Sequence, residues 1–289
     1  YRNFNQAAQN CSWKQLHGKE LSYNNLLDFD ATFRLIRDHT SIPTAAIFKH
    51  LNPCGVGRGK DLLTALKLAK QGDPRSHFGG VVGFSTEVTQ VVAEELTDGF
   101  VEIVLAPSYH KEALKILEKR KNLRILEVNF ESPPANIEVR VIQDGVLIQE
   151  RDNGVSLVSD GRVVSKRQPT NEEMDTLQFA WNVCSHVKSN AIVAVNSSMV
   201  LSVGAGQMSR VDAAELLISR AKLHGNDLKG AVAASDAFFP FPDSVEELIK
   251  AGVSFIVSPA GASRDQEVID TVDKLGAGLI FVSDRHFRH

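Results

Sequence analysis

The sequence predicts an α/β protein made of two divergent copies of one αββαβαβαβ unit, with mostly parallel sheets. Three observations carry that expectation. Apolar runs of strand length alternate with amphipathic stretches of helix length, the pattern of βαβ crossovers. The same order of elements recurs in the second half of the chain. Between the copies the pattern shifts to alternating polar and apolar residues, punctuated by Asp144-Gly145, Asn153-Gly154 and Asp160-Gly161, dipeptides typical of hairpins. The expected divisions are a first lobe over 1–131, a β-rich connector over 132–168 and a second lobe over 169–289.

Taken in order, residues 1–18 show no clear periodicity before Trp13 and Leu16. Ser22-Tyr23-Asn24-Asn25 then precedes Leu26, Leu27, Phe29, Phe33, Leu35 and Ile36, a helical spacing that ends near His39. Ser41-Ile42-Pro43 breaks it. Residues 44–48 read as a short buried strand with Lys49-His50 at its end, and Asn52-Pro53 with Gly55 is expected to force a turn there. A helix over 61–71 follows, with Leu62, Leu63, Leu66 and Leu68 as its apolar set. Asp73-Pro74 and Phe78-Gly79-Gly80 lead into a strand at 81–84, and the half closes with helix 88–96, strand 101–106, helix 111–119 and strand 123–128.

The second half opens with a helix over 171–188 and two close strands, 191–195 and 200–203, joined by Asn196-Ser197-Ser198. Helix 211–223, strand 231–234, helix 244–250, strand 255–257, helix 266–275 and strand 279–282 complete it.

At 289 residues with 43% apolar content, the chain suits two modest domains or one large α/β unit. A net charge of -3 gives no reason to expect nucleic acid or an anionic membrane surface, so any anionic ligand needs a local cluster. Cys11, Cys54 and Cys184 are sparse and odd in number, which argues for reduced thiols in the cytoplasm. No apolar run approaches the ~20 residues of a membrane helix. The first ten residues are polar without a signal-peptide pattern, and the missing initiator Met suggests a piece of something longer.

Several clusters carry chemistry, each beside a plainer reading. Lys49-His50 on a rigid turn places a cation and an imidazole where α/β sheets bind ligands, outside the carboxyl ends of strands; alone, it reads better as a solvated pair. The loop Asp236-Ala237-Phe238-Phe239-Pro240-Phe241-Pro242-Asp243 offers rings for an apolar slot with Asp236 and Asp243 as polar ends, or plugs the sheet. The backbone N–H groups of residues 204–210 could hold an anion at a helix start, though a lone Gly-x-Gly is weak and lacks the third glycine of a nicotinamide-binding fingerprint. Asn190 could read an amide or ring edge, or cap a turn. The cationic tail Arg285-His286-Phe287-Arg288-His289 is either frayed or folded back to supply charge. Zinc is not expected: Pro53-Cys54 lacks the second thiolate of the deaminase signature. No Gly-x-Ser-x-Gly elbow supports a serine triad.

Together, the stretch Gln15-Leu16-His17-Gly18-Lys19-Glu20-Leu21-Ser22-Tyr23-Asn24-Asn25, Lys49-His50 with Asn52-Pro53-Cys54-Gly55, Phe78-Gly79-Gly80, Lys188-Ser189-Asn190, residues 204–210, residues 235–241 and the tail resemble the AICAR transformylase domain of the bifunctional purine-biosynthesis protein. The resemblance runs from Trp13 to the last residue and implies tandem cytidine-deaminase-like units without zinc. It implies formyl transfer from 10-formyltetrahydrofolate to the 5-amino group of AICAR, His50 accepting the amine's proton and Lys49 stabilising the oxyanion.

By the same resemblance, Gly79, Glu102, Asn190, Arg210 and Phe287 face AICAR, and Val211, Phe238, Asp243, Ala262, Ser263 and Arg285 lie on the folate side, Arg285 serving the nucleotide phosphate instead in one version. Glu102 stands where many relatives carry Asp, and Pro242 replaces an Arg of some members. Lys49 and His50 are expected to share a cleft with the Phe238 loop and the tail. The family further implies homodimers whose active sites draw on both subunits, and a bound monovalent cation is compatible with it. The family has an Arg-Tyr-Gly-x-Asn-Pro-His-Gln stretch whose Arg-Tyr helps bind AICAR. Here only the Tyr1-Arg2 that follows it remains and the IMP cyclohydrolase half is absent, so transformylase activity is expected of the intact protein and weak or absent nucleotide binding of this piece alone. The rival reading is a non-catalytic deaminase-like module that binds a nucleotide or a protein.

Overall fold

The computed structural model describes residues 12–289; Tyr1, Arg2 and Cys11 lie outside the described residues. The first half comprises β1 (Trp13–His17), α1 (Tyr23–Arg37), β2 (Thr44–Lys49), β3 (Asn52–Arg58), α2 (Leu62–Gly72), β4 (Gly80–Phe84), α3 (Gln90–Thr97), β5 (Val101–Ala106), α4 (Lys111–Leu117) and β6 (Arg124–Val128). A hairpin of β7 (Ile137–Ile142) and β8 (Gly145–Glu150) and a short strand β9 (Arg162–Val163) follow. The second half is α5 (Asn171–Cys184), β10 (Ile192–Val195), β11 (Val200–Gly204), α6 (Arg210–His224), β12 (Val232–Ser235), α7 (Asp243–Lys250), β13 (Phe255–Pro259), α8 (Asp265–Lys274) and β14 (Gly278–Val282).

Local chemistry sets these boundaries. Ser22 caps α1 and Asn25 reaches back to its backbone N–H, while Thr170 and Glu173 do the same for α5. Asp61 caps α2 and Ser209 caps α6, which stops at Gly225 in the left-handed region, φ 74°. Side chains on Gly55 and Gly57 of β3 would run into the carbonyl oxygens of Ala69 and Ala65, and one on Gly204 of β11 into that of Ala213. In both halves, then, a glycine in the second hairpin strand lets the next helix lie directly on the sheet.

The two sheets have the same order position for position, β3-β2-β4-β5-β6-β1 and β11-β10-β12-β13-β14-β9. In each, the three central strands pair in parallel, the hairpin joins antiparallel on one side and a lone strand on the other. Four of six strands thus share a direction, yet only two of five ladders per sheet are parallel, so "mostly parallel" describes direction and not pairing.

Three expectations need correction. Residues 13–17 form β1, which closes the first sheet beside β6; its burial is too even to show an alternating pattern. The turn after β2 is His50-Leu51, and Asn52-Pro53-Cys54-Gly55 belongs to the returning strand β3, because Lys49 pairs with Asn52 across a two-residue loop. In the connector only residues around Asp144-Gly145 make a hairpin; residues 151–157 hold no strand, and β9 after Asp160-Gly161 joins the edge of the second sheet.

Helices α2, α3 and α4 cover the outer face of the first sheet and α6, α7 and α8 that of the second. Between the sheets, Leu35 and Ile36 of α1, Phe48 and Val56 pack into one apolar cluster with Phe179, Trp181 and Val183 of α5. The halves also touch directly: the Arg58 N–H donates to the Ser198 carbonyl (2.8 Å), and the Arg58 guanidinium lies 4.5 Å from the Phe179 ring centre.

Two imidazoles are trapped in this seam. Burial lowers His39 to about 4, and it lowers His186 to about 4 as well, despite the opposing hydrogen bond to Asp38. The unfolded chain takes up both protons below its ordinary value of 6.5 while the fold resists them down to about 4, so unfolding binds protons in that window. Stability should therefore fall as pH drops from 6.5 toward 4, and His39→Leu should soften the fall. Denaturant midpoints measured across this range would show it; a flat or rising profile would contradict it.

Candidate active site

Because β2 runs antiparallel to β4, its carboxyl end, Lys49, lies at the amino ends of β4 and β5. The candidate residues of the first sheet thus lie at the amino ends of its parallel strands, and those of the second at the carboxyl ends. There Asn190 precedes β10, and Arg210, Asp236, Phe238, Ala262, Ser263 and Arg285 follow β11, β12, β13 and β14 at one edge. The amino edge of the first sheet meets this edge, where the Lys188 N–H donates to the Asn52 side-chain oxygen at 3.0 Å.

His50 and Leu51 have φ of 54° and 65°. A two-residue hairpin loop of the type I′ form needs positive φ at both central positions, normally met by Asn, Asp or Gly. Here an imidazole and a leucine accept the left-handed region instead, at about 1–2 kcal/mol each. The Asp28 carboxylate takes the Leu51 N–H at 2.7 Å and helps hold the turn. His50 is exposed, and the Lys49 ammonium donates to the Phe78 carbonyl at 2.9 Å.

A cleft of about 350 Å³ opens beside this turn, lined by Lys49, His50, Asn52, Cys54, Asp73 and Ser76 from the first half and by Ser202, Ala205, Gln207, Arg220 and His224 from the second. At its floor Arg220 pairs with Asp73, whose carboxylate also takes the N–H groups of Arg75 and Ser76. Burial, aided by Asp73, pushes the Cys54 thiol up to about 12, so it is no nucleophile. Among the described residues no group of three or more His, Cys, Asp or Glu side chains is gathered for a metal.

A second cluster adjoins the cleft through Gln207. Arg210, 6% exposed, pairs with the fully buried Asp236, donates to the Ala191 carbonyl (2.9 Å) and donates to the Asn190 side-chain oxygen (3.0 Å), while its Nε has no partner. Asp236 also takes the Ser189 hydroxyl and, at 3.1 Å, the Ala191 N–H. It is therefore the counter-ion of Arg210 and not the polar end of an apolar slot. The Asn190 amide donates to the Gln207 and Met208 carbonyls at 3.0 and 3.2 Å, which is the turn-capping reading. Of the 204–210 N–H groups, those of Gly206 and Gln207 are spent on the Lys188 and Asn190 carbonyls.

Of the remaining residues, Gly79 adjoins the Lys49 contact and the others lie outside the cleft. Gly79, φ 75°, donates to the Phe100 carbonyl (2.7 Å) next to the Phe78 carbonyl that holds Lys49. Glu102 accepts from the Asn25 amide (2.9 Å) and faces Arg124 at 3.8 Å. Phe238 is half-buried beside Gly261, and Phe241 lies under Arg264. Asp243 opens α7 and accepts from its neighbour Ser244; Val211 sits in the first turn of α6, and Arg285 stacks on the exposed Phe287.

The cleft of Lys49 and His50 does not include Phe238, Arg285 or Phe287. The cleft borders β11, and the Phe238 loop follows β12 two places away, roughly 10 Å at ~4.8 Å per strand. The carboxy-terminal segment turns back from β14, the His286 N–H donating to the Asp236 carbonyl and the Arg288 carbonyl accepting from Ser189, but Arg285 and Phe287 face out and do not line the cleft. The pairing of Asp73 with Arg220, 147 residues apart, has no signal in the sequence.

The sequence model described as AICARFT/IMPCHase bienzyme matches residues 1–220. The bifunctional purine biosynthesis proteins PurH of Streptococcus agalactiae (strain NEM316) and Streptococcus thermophilus (strain LMD-9) are each 48% identical over 282 residues, covering 96% of this chain and 54% of their own. That of Streptococcus pyogenes (strain MGAS315) is 47% identical over the same length. The chain thus spans about half the length of the curated relatives it matches.

Proposed function

The chain belongs to the AICARFT/IMPCHase bienzyme family, and from that we propose that it is an AICAR formyltransferase, moving the formyl group of 10-formyltetrahydrofolate to the 5-amino group of AICAR in purine biosynthesis. The observation that carries this reading is 48% identity over 96% of the chain to proteins named for bifunctional purine biosynthesis. Since the match takes up 54% of those relatives, we take it to be their transformylase part, without the IMP cyclohydrolase half. We read each repeated unit as a cytidine-deaminase-like αβα layer that uses no zinc, with lobes at 1–131 and 169–289 and a connector at 132–168; the matching strand orders support this. A cytoplasmic setting accords with the free thiols of Cys54 and Cys184.

The AICAR amine is a weak nucleophile because its lone pair is delocalised toward the carboxamide. His50 takes its proton as the nitrogen bonds to the formyl carbon, and Lys49 meets the charge that builds on the formyl oxygen. The bond from that carbon to the folate nitrogen then breaks, and His50 returns the proton to the leaving nitrogen. The fixed turn and the tethered ammonium support these roles. Gly79, Glu102, Asn190, Arg210 and Phe287 are assigned to AICAR, for which the Arg210 Nε is a spare donor. Val211, Phe238, Asp243, Ala262, Ser263 and Arg285 are assigned to the folate, and the partly exposed Phe238 and Phe241 rings suit a flat pterin.

We further propose a homodimer whose sites draw on both subunits. The distance between Lys49-His50 and the Phe238 edge within one chain supports it. So does the β7–β8 hairpin. Its register puts Ile137, Val139, Val141, Val146 and Ile148 on one face, 54–79% exposed, while Arg140 on the other face bonds the His289 carbonyl. An isolated hairpin with a bare apolar face is unstable in water; a second copy would cover it.

His50→Ala should abolish formyl transfer with the fold retained, and Lys49→Ala should cut turnover by roughly 10²–10³-fold. Steady-state kinetics decide the matter: near-normal turnover for His50→Ala, or a change in affinity alone for Lys49→Ala, would remove those roles. Sedimentation should give a dimer of the 31.7 kDa chain, and Val139→Lys with Ile148→Lys should give monomers; a monomeric wild type would end the two-subunit reading.

A further inference from the structure

The carboxy-terminal segment alternates. His286 is 1% exposed and the Arg288 side chain points inward, whereas Arg285, Phe287 and His289 face out. Both inward residues converge on Asp152, in the connector. Its carboxylate holds the His286 Nδ1 at 2.7 Å and lies 3.8 Å from the Arg288 guanidinium. Its backbone carbonyl accepts from Arg288 (3.3 Å) and from Arg34 of α1 (2.7 Å). The His286 ring also packs on Trp181, centroids 4.8 Å apart, and Arg288 exchanges backbone and hydroxyl bonds with Ser189. Burial works against the Asp152 charge, but the hydrogen bond from His286, with the charges of His286, Arg288 and Arg34, outweighs it and holds the carboxyl below its usual value.

An extended segment anchored at every second residue has a fixed register, and a slip of one residue turns every side chain to the other face. Elsewhere in the connector Arg140 reaches only the terminal His289 carbonyl, at 2.9 Å, and Arg151 turns to Asp30 of α1 at 3.2 Å; among its described side chains Asp152 meets both inward residues. We propose that Asp152 is a positioning residue, which holds His286 and Arg288 inward and so sets the register in which Arg285 and Phe287 are presented. Its catalytic consequence rests on the reading of Arg285 and Phe287 as ligand-facing.

The test combines peptide-resolved amide exchange with kinetics on Asp152→Ala and the milder Asp152→Asn, with Phe287→Ala as a companion. In Asp152→Ala, exchange over 284–289 should rise at least about tenfold while β13 is unchanged. The KM for AICAR should rise roughly tenfold with kcat little altered, as for lost positioning of a bound group. Asp152→Asn should fall between, and it decides the matter if the alanine variant unfolds. Wild-type exchange over 284–289, or faster exchange in β13 to the same degree, would overturn the anchor. If Phe287→Ala is impaired but Asp152→Ala is not, the positioning role falls; if Phe287→Ala has wild-type constants, the ligand-facing reading falls while exchange still judges the anchor.

Discussion

A carboxylate with no exposed surface sits at the centre of this fold. Charge in the interior is tolerated only when it is met by an opposite charge and by hydrogen bonds. Asp236 meets that condition through Arg210, the Ser189 hydroxyl and the Ala191 N–H, and its own carbonyl takes the His286 N–H at 3.0 Å. Four chain segments that are distant in sequence therefore share one anchor: the end of β12, the approach to β10, the start of α6 and the carboxy-terminal segment. A shift of α6 would leave the buried charge without its counter-ion, and a shift of the β10 approach would take away the neutral donors that share it.

The first half is fixed differently. There the constraint is a hairpin too short for ordinary backbone angles, and His50 and Leu51 bear it in place of the Gly or Asn that would do so without strain. A strained residue persists where the surroundings over-determine it; here the Asp28 bond and the β2–β3 ladder do so. Duplication adds the remaining geometry. The two sheets share an order, but the first presents the end of its reversed strand β2 and the second the carboxyl ends of its parallel strands. One unit presents an imidazole and an ammonium, the other an arginine and an apolar edge.

Much of this was legible in the sequence because helices and strands here follow their own local chemistry. The alternation of α1, β2, α2 and β4, repeated in α5, β10, α6 and β12, follows from apolar spacing and from signals such as Ser22 before α1. The short strand β1 escaped because four of its five residues are half-buried and only Lys14 is exposed, which leaves no alternating period. The turn was misplaced because Asn52-Pro53 and Gly55 carry turn chemistry, while the pairing of Lys49 with Asn52 is a long-range property of the sheet. Asp236 looked like part of an aromatic loop, since nothing near it names Arg210 as its partner. Asp152 sat in a stretch with no regular structure, and its importance comes from residues more than a hundred positions later. Pairings of this kind arise only when segments distant in sequence come together in the folded chain.

The most direct measurement is a crystal structure of the protein with AICAR bound. The 5-amino nitrogen should lie within about 2.6–3.2 Å of a His50 ring nitrogen, with Lys49 beside it and Arg210 or Asn190 on the nucleotide. Nucleotide bound elsewhere, with the turn at His50 and Leu51 facing bare solvent, would contradict the assignment of the chemistry to this hairpin.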